Sequence, residues 1–234
     1  MGTRPAIRFT LDGARRGAVA MLPILPGAVA FGVLWGFLAG EKGLGTLEVA
    51  AMSALVFAGA AQFLALELWA EPLPVAAIVT AVLIVNLRHL LMGPVLQPWL
   101  GALPPGRAAL SLAVMTDESW SAAVMELRRG GRDAAFLPGA GLLLWAAWVT
   151  ATLTGRALGD IGPLIRAWGL DFLTTAFFVA LLAGLWRGRR DLGTWLVAGT
   201  VAVVAQAGLA GGWHILTGAL AGSLAGAVVE ARRR

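Results

Sequence analysis

The sequence predicts an all-α, polytopic membrane helical bundle of about seven or eight spanning or re-entrant helices, some of them broken. Two observations support this fold class. Of the 234 residues, 59% are hydrophobic and only 13% are charged, which is more apolar surface than a soluble domain of this length can bury. Several runs also approach or exceed about 18 apolar residues, the length expected of a membrane-spanning helix.

The composition argues against several other kinds of protein. The chain has no cysteine and only two histidines, His89 and His214, so neither a metal centre nor a cofactor is predicted. The net charge of +5 comes from arginine in connections and termini. In a membrane protein this indicates orientation and lipid contact, and nucleic-acid binding is not expected.

About eight apolar segments follow a basic leader. Residues 1–16 form the leader, which is predicted to be cytoplasmic, and residues 17–230 form the membrane domain. Pro23 and Pro26 are expected to kink or break the first segment. Asp171 is expected to interact with the dipole of the sixth helix, and the alternative is a role in the site. The predicted segments are 17–39, 47–69, 74–97, 108–125, 136–154, 168–186, 193–209 and 213–229.

The fourth segment, residues 108–125, is decided by charge parity because Asp117 and Glu118 lie in it. The arginines at 1–16 and 128–132 should both be cytoplasmic under the positive-inside rule. Three helices between them would place them on opposite sides of the membrane. Residues 108–125 are therefore predicted to cross as a fourth helix, and the alternative is a re-entrant segment that does not cross.

Small residues recur four apart in the first and last segments, and such ribbons let helix backbones approach closely. Two interpretations of the first ribbon remain open: packing within this chain, or docking of a partner subunit. The first ribbon is Ala28, Gly32, Gly36 and Gly40, and the second is Gly218, Gly222 and Gly226.

The tripeptide Leu-Pro-Gly occurs near the start of the first segment and again near the start of the fifth. It occupies residues 25–27 and 137–139. Transporters often contain internal repeats. The match suggests two halves of four helices each, which would be parallel repeats.

The middle of the second segment is predicted to be a weak helix. Small residues surround Gly59, and Gln62 places an amide at membrane depth between Phe57 and Phe63. One interpretation is a tight crossing point in which Gln62 bonds a neighbouring backbone. The other is an unwound turn that contacts substrate, as in the discontinuous helices of transporters.

Two polar clusters lie inside apolar segments. Asn86, Arg88 and His89 lie near the middle of the third segment, and Asp117 and Glu118 lie in the fourth. An arginine at the centre of a spanning helix costs roughly 2.5–3.5 kcal/mol on insertion scales, so it needs a partner or an aqueous cavity. We therefore predict that Arg88 and Asp117 pair, either as part of a binding centre or as a structural ion pair that orders the bundle.

A series of motifs gives the chain a resemblance to a known family. From about residue 20 to its end, the chain resembles the AzlC-type (YgaZ-type) branched-chain amino acid permeases. The resemblance implies export of branched-chain amino acids, in some members also methionine, together with a small AzlD-type membrane subunit. Ala61 stands where relatives often carry serine, so a hydroxyl near the site is missing. The motifs are Leu22-Pro23, Ala30-Phe31-Gly32, and residues 53–63 (SALVFAGAAQF), 86–89 (NLRH), 116–119 (TDES) and 169–172 (GLDF).

The leading functional prediction is a secondary transporter that exports branched-chain or similar small apolar amino acids across the bacterial cytoplasmic membrane. It would be multi-pass, with its N-terminus in the cytoplasm. One alternative is a structural or regulatory membrane subunit. The other is an intramembrane enzyme, but the chain lacks the nucleophile motif G-x-S-x-G and has too few metal ligands, so it is predicted not to be an enzyme.

A zwitterionic substrate needs donors for its carboxylate, acceptors for its ammonium and an apolar pocket for its branch. Arg88 is the main predicted donor and Asp117 the main predicted acceptor, while Glu118 or His89 would titrate in a proton-coupled cycle. Uniport and antiport both remain open. The predicted substrate-binding residues are Phe57, Gly59, Gln62, Asn86, Arg88, His89, Asp117 and Glu118.

Overall fold

The computed structural model describes residues 6–159, 192–209 and 213–231, with three single positions at 179, 183 and 188. Within these residues the chain is helical, and the predicted all-α fold class is confirmed. The helices are α1 (Leu11–Met21), α2 (Leu25–Glu41), α3 (Thr46–Leu55), α4 (Gly59–Glu67), α5 (Val75–Asn86), α6 (Arg88–Val95), α7 (Gln97–Leu100), α8 (Pro105–Ala113), α9 (Asp117–Arg128), α10 (Phe136–Gly159), α11 (Leu192–Gln206) and α12 (Trp213–Ala231).

Several of these helices are long and apolar enough to cross a membrane. Among the described residues they are Val75–Val95, which comprises α5 and α6 together, Phe136–Leu158 in α10, and Trp213–Ala231, which is α12. The bent pair α1 and α2 makes a fourth if it is one span. The sixth predicted segment, residues 168–186, and Asp171 within it lie outside the described residues.

The chain divides into two compact units. The first contains Met1–Leu66 and Leu83–Gly162, and the second contains Glu67–Val82 and Pro163–Arg234. In the second unit α12 packs on α11 through its small residues, because a Cβ on Gly218 or Gly222 would meet the Cβ of Ala202 or Ala198 at 2.7 Å. The predicted second ribbon therefore packs a helix pair.

Helix α1 begins at Leu11, six residues before the predicted start at 17, which corrects that boundary. The reason is an N-cap that the apolar pattern does not reveal. The Thr10 hydroxyl accepts a hydrogen bond from the N–H of Gly13 at 3.1 Å. Asp133, 123 positions later, accepts from the N–H of Thr10 at 3.1 Å and also from the Thr10 hydroxyl.

The predicted break in the first segment is confirmed. Helices α1 and α2 meet at an angle of 71° across residues 22–24. Pro23 lies in this break and Pro26 in the first turn of α2. Proline suits a first helical turn, where its missing N–H would have had no partner, and disrupts a helix interior.

The first ribbon packs α2 against α10 within the chain. A Cβ on Gly36 would collide with the carbonyl oxygen of Thr152, and one on Gly32 would lie 2.7 Å from the Cβ of Ala151. From the other side, a Cβ on Gly155 would collide with the carbonyl oxygen of Val33. The intrachain interpretation therefore holds for these positions, because their face is already covered.

The predicted fourth helix, residues 108–125, is not continuous, and the choice between a crossing and a re-entrant segment stays open. The structure has α8, then a break at residues 114–116, then α9. Helix α9 starts at Asp117 because Thr116 and Ser119 form a capping box, in which each side chain bonds the other's backbone N–H, at 3.3 and 2.9 Å. This local signal ends the apolar run at the acidic pair.

The first two basic segments lie together. The N–H of Arg8 donates to the carbonyl of Arg132 at 2.8 Å, and the N–H of Ala134 donates to the carbonyl of Arg8 at 2.9 Å. Residues 6–10 are thus fastened to the connection between α9 and α10. The arginines in the described part of the leader and those at residues 128–132 consequently lie at one end of the first unit.

Candidate functional site

The predicted pairing of Arg88 with Asp117 is present in the structure. Arg88 is the first residue of α6 and Asp117 the first residue of α9, and Arg88 Nη1 lies 2.5 Å from Asp117 Oδ2. The side chains are 36% and 47% exposed. A ligand can therefore reach both charges without unfolding the helices that carry them.

Local sequence places both partners. The capping box fixes the start of α9, and acidic residues in a first helical turn interact favourably with the helix dipole. The indole N–H of Trp120 donates to the carbonyl of Met92 at 2.9 Å. Met92 lies in the last turn of α6, where carbonyls have no partner within the helix. This bond ties α9 to the helix that begins with Arg88.

Polar atoms beside the ion pair have no hydrogen-bond partner. Among the described residues, Asn86 Oδ1 and Arg88 Nε are buried without one. His89 Nδ1 lies 3.1 Å from the carbonyl oxygen of Asn86. Buried polar groups are nearly always bonded, so an acceptor and a donor left without partners next to an ion pair suit contact with a polar ligand.

A cleft of about 530 Å³ lies between the end of α1 and one face of α9. Asp117 and Glu118 line it at the start of α9, and Glu126 and Arg129 line it near the end of that helix. The volume falls within the roughly 300–1,000 Å³ typical of small-molecule sites. The other lining residues are largely apolar: Ala20, Met21, Ile24, Ser121, Ala122, Met125 and Phe136.

The second predicted segment is broken at residues 56–58, between α3 and α4. Phe57 has a φ of 36°, a left-handed conformation that is uncommon for a bulky residue. Within the described residues no hydrogen bond satisfies the N–H groups of Phe57 and Ala58. The ring of Phe57 packs on the cluster of Met21, Ala140 and Leu144, and Met21 also lines the cleft. The break therefore lies behind one wall of the cleft.

Gln62 is fully buried and bonded to side chains. Its Oε1 accepts from the indole of Trp148 at 2.8 Å, and its Nε2 lies 3.4 Å from the hydroxyl of Ser53. Gly59 lies beneath the same indole, since a Cβ there would be 3.1 Å from the Trp148 ring. One turn earlier on α10, the indole of Trp145 donates to the carbonyl of Ala54 at 3.0 Å. We call Trp145 and Trp148 the indole clamp, because they bond the two sides of the break.

The predicted site residues thus fall into three places. The cleft holds Asp117 and Glu118, with Arg88 paired to the first; Asn86 and His89 adjoin Arg88 along the chain. Phe57 lies behind the cleft wall, while Gly59 and Gln62 contact the indole clamp. Within the described residues no group of three or more His, Asp or Glu side chains is arranged to hold a metal.

Sequence reasoning missed several residues of this region. Glu126 was open to prediction, because it lies eight positions after Glu118 and so shares its helix face. Met21 and Trp148 were not, because each reaches the site from a distant segment. No local pattern announces such a contact.

Comparison with known proteins identifies the family. Residues 23–161, more than half of the chain, match the family model described as AzlC protein. The chain belongs to the AzlC family. The matched region of this AzlC-family chain includes the Arg88–Asp117 pair and the α9 face of the cleft.

Two relatives agree with this membership. The chain is 26% identical over 196 residues to the inner membrane protein YgaZ of Escherichia coli strain K12, covering 80% of this chain and 78% of the relative. It is 29% identical over 222 residues to an uncharacterized membrane protein of Archaeoglobus fulgidus, covering 92% and 93%. No solved structure matches the chain. The AzlC-family chain is a multi-pass helical membrane protein.

Proposed function

We propose that this AzlC-family protein exports branched-chain or similar small apolar amino acids across the bacterial cytoplasmic membrane. In this proposal it acts with a small AzlD-type membrane subunit. The observation that carries the proposal is the half-exposed Arg88–Asp117 ion pair at the edge of the cleft. It joins the two polar clusters that lie inside apolar segments. Family membership supports a role in transport.

The ion pair has the polarity that a zwitterion requires. The substrate carboxylate would take the place of Asp117 on the Arg88 guanidinium, and the ammonium would take the place of Arg88 on Asp117. Glu118 and Asn86 Oδ1 offer further acceptors for the ammonium. Arg88 Nε, which has no partner within the described residues, offers a further donor to the carboxylate. Substrate binding would thus exchange one set of charge pairs for another.

The apolar wall of the cleft suits the substrate's branch. Met21, Ile24 and Phe136 line the cleft, and Phe57 packs behind Met21. Full burial of a valine or leucine side chain contributes about 1.5–3 kcal/mol. That contribution favours branched-chain substrates over small polar amino acids. In this arrangement Gln62 contributes indirectly, because it holds the break that presents Phe57.

Orientation follows from the arginines gathered at one end of the first unit. In this proposal that end, and with it the N-terminus, lies in the cytoplasm, as the positive-inside rule favours. An exporter loads its substrate from that side. A reporter that is active only in the cytoplasm should accordingly be active when fused to the N-terminus, and a reporter that is active only outside the cytoplasm should be inactive there.

The test is efflux from a bacterial strain that lacks its own valine exporters. Cells expressing the protein with its AzlD-type subunit, fed a valine-containing dipeptide, should accumulate less valine than cells carrying an empty vector. Arg88→Ala and Asp117→Asn should abolish the difference. Arg107→Ala is the matched control, because Arg107 lies over the Phe9 ring at 4.9 Å and takes no part in the Arg88–Asp117 pair. Unchanged valine accumulation with the normal chain would contradict the proposal.

The charge-swapped variant Arg88→Asp with Asp117→Arg separates binding from structure. It keeps an ion pair between α6 and α9 but reverses the polarity that the substrate meets. We expect folded protein of slightly lower Tm, because an arginine at the first position of α9 opposes the helix dipole, and no efflux. If the swapped protein exports valine normally, the pair only orders the helices and the structural alternative is correct.

A further inference from the structure

The face of α1 that points away from the rest of the first unit is apolar except for one arginine. Gly13 and Gly17 press the opposite face against the start of α10, because a Cβ on Gly17 would collide with the carbonyl oxygen of Phe136. Successive residues of a helix are about 100° apart around its axis, so the residues half a turn away form the outward face. They are Leu11, Arg15, Val19 and Leu22, and the three apolar side chains are 90%, 54% and 52% exposed.

The direction of α1 indicates what this outward face contacts. Helix α2 packs along α10, which is long and apolar enough to cross a membrane, and α1 makes an angle of 71° with α2. A helix inclined so steeply to a spanning pair lies near the membrane plane. Helices of this kind bury their apolar face at the boundary between headgroups and acyl chains. The stem of Arg15 would lie among the apolar side chains while its guanidinium reaches the headgroups.

Positive charge without carboxylate partners surrounds this helix. Residues 6–16 and 126–133, which we call the arginine-rich end, contain six arginines and three acidic residues. All three acidic residues are engaged, since Arg16 pairs with Asp12 at 3.3 Å and with Glu126 at 2.6 Å. The third, Asp133, accepts hydrogen bonds from Thr10. Within the described residues, four exposed arginines of this end form no ion pair: Arg8, Arg15, Arg128 and Arg129.

We propose that α1 lies in the membrane interface and that the arginine-rich end binds the headgroups of anionic phospholipids. An anionic phospholipid matches both parts of this surface, because its headgroup complements the arginines and its acyl chains complement the apolar face. A soluble anion would match only the arginines. Each basic side chain near an anionic membrane surface contributes about fivefold in affinity, which corresponds to about 1 kcal/mol. The proposal is independent of amino acid export.

The depth of α1 in the membrane can be measured directly, because the chain has no cysteine and one introduced cysteine can carry a spin label. Leu11→Cys and Val19→Cys place the label eight residues apart, which corresponds to about 12 Å along the helix. Paramagnetic resonance of each labelled protein in phosphatidylglycerol vesicles, with oxygen and a water-soluble nickel complex as relaxants, gives the depth. Both labels should lie at the headgroup boundary at similar depths. Ala146→Cys, exposed midway along α10, provides the value for the hydrocarbon core.

Lipid binding is measured on the purified full-length protein in a neutral detergent. Phosphatidylglycerol should raise the Tm, because a ligand that binds the folded state stabilises it, whereas phosphatidylcholine and free glycerol phosphate should not. In Arg15→Gln, and separately in Arg128→Gln, the phosphatidylglycerol concentration that gives half of the rise should increase about fivefold. Raised salt should weaken the effect, because it screens exposed charges. Two variants keep the test decisive if one of them does not fold.

Lys42→Gln is the matched control, because it removes a positive charge from the other end of the first unit. Lys42 follows α2, and the next connection residue but one, Leu44, accepts a bond from Arg156 Nε at 2.7 Å. Arg156 lies 20 residues after Phe136 on α10, which corresponds to about 30 Å. This variant should therefore keep the half-maximal concentration of the unsubstituted chain.

Several results would overturn the proposal. Label depths that differ by about 12 Å, or labels fully open to water, would show that α1 does not lie in the interface. Equal stabilisation by phosphatidylglycerol and phosphatidylcholine, or unchanged half-maximal concentrations in both arginine variants, would reject recognition of anionic lipid. Stabilisation by glycerol phosphate alone would indicate a soluble anion instead. Loss of lipid contact at both labels on coexpression with the AzlD-type subunit would assign the face to that partner. None of these measurements requires transport, so a failure of valine export leaves this proposal standing.

Discussion

The indole clamp allows a quantitative test of how the broken helix is held. Trp148→Phe removes the N–H that donates to Gln62 Oε1 at 2.8 Å, and it leaves that buried oxygen without a partner. An unsatisfied buried acceptor costs about 1–3 kcal/mol, and the smaller ring leaves a cavity above Gly59. We expect the variant to lose about 2–4 kcal/mol of unfolding free energy.

The second variant of the cycle is Gln62→Met, which removes the acceptor at similar side-chain volume. Alone it should cost about 1–3 kcal/mol, because the indole N–H of Trp148 is then buried without a partner. The double variant buries neither group unsatisfied. Its loss should be smaller than the sum of the single losses by about 1–2 kcal/mol, near the upper end measured for hydrogen bonds between membrane helices.

The assay is thermal unfolding of the purified protein, followed by circular dichroism. Tryptophan fluorescence would change with the substitution itself, and the chain has no cysteine for a thiol-reactive dye. For a chain of this length, 1 kcal/mol corresponds to about 2–4 °C in Tm. Trp145→Phe is the control, because its indole bonds the Ala54 carbonyl and not Gln62. Losses that add to within about 0.5 kcal/mol would refute the coupling.

The same double variant also tests the role of Gln62. Because both polar groups of its amide are engaged by Trp148 and Ser53, we expect the stable double variant to keep valine export. Loss of export by the folded double variant, with export retained by Trp148→Phe alone, would instead show that the substrate contacts Gln62.

Three further substitutions test other parts of the fold. Asp133→Asn should cost about 1–3 kcal/mol, seen as a lower Tm, because its two carboxylate oxygens accept three hydrogen bonds and an amide has one acceptor oxygen. Gly36→Ala should cost about 1–3 kcal/mol of unfolding free energy or prevent folding, because the added Cβ meets the α10 backbone. Gly27→Ala on the same helix has open space around it and should be nearly neutral. Expression level and Tm compare the two variants. Trp120→Phe should cost about 1 kcal/mol and lower the export rate, because α6 loses its bond to α9 beside the ion pair.

Much of the fold followed from the sequence because membrane helices obey simple rules of length and composition. The proline pair predicted the break between α1 and α2, and the small residues around Gly59 predicted a weak second helix. The pairing of Arg88 with Asp117 followed from the cost of isolated charges in apolar segments. In each case one strong energetic preference, of proline, of small residues or of a charge in an apolar segment, decides the structure.

The predictions that failed concern features set by helix caps or by contacts between distant segments. The fourth segment was predicted as a helix from charge parity, which carries no information about helix ends, and the capping box at Thr116 and Ser119 starts a new helix inside it. The start of α1 depends on Asp133, and the partner of Gln62 is Trp148, 86 positions away. Contacts between residues so far apart in the sequence depend on how the helices pack, and a single sequence does not show that packing.

The close crossing of α2 and α10 has a consequence for any transport cycle. Where glycines bring two backbones into direct contact, as at Gly36 and Gly155, there are no side chains to slide past one another. The two helices must then travel as one rigid body. In the proposed transport cycle, the rearrangement that turns the binding centre from one face of the membrane to the other therefore has to occur in the broken segments around this pair, while α2 and α10 keep their positions relative to each other.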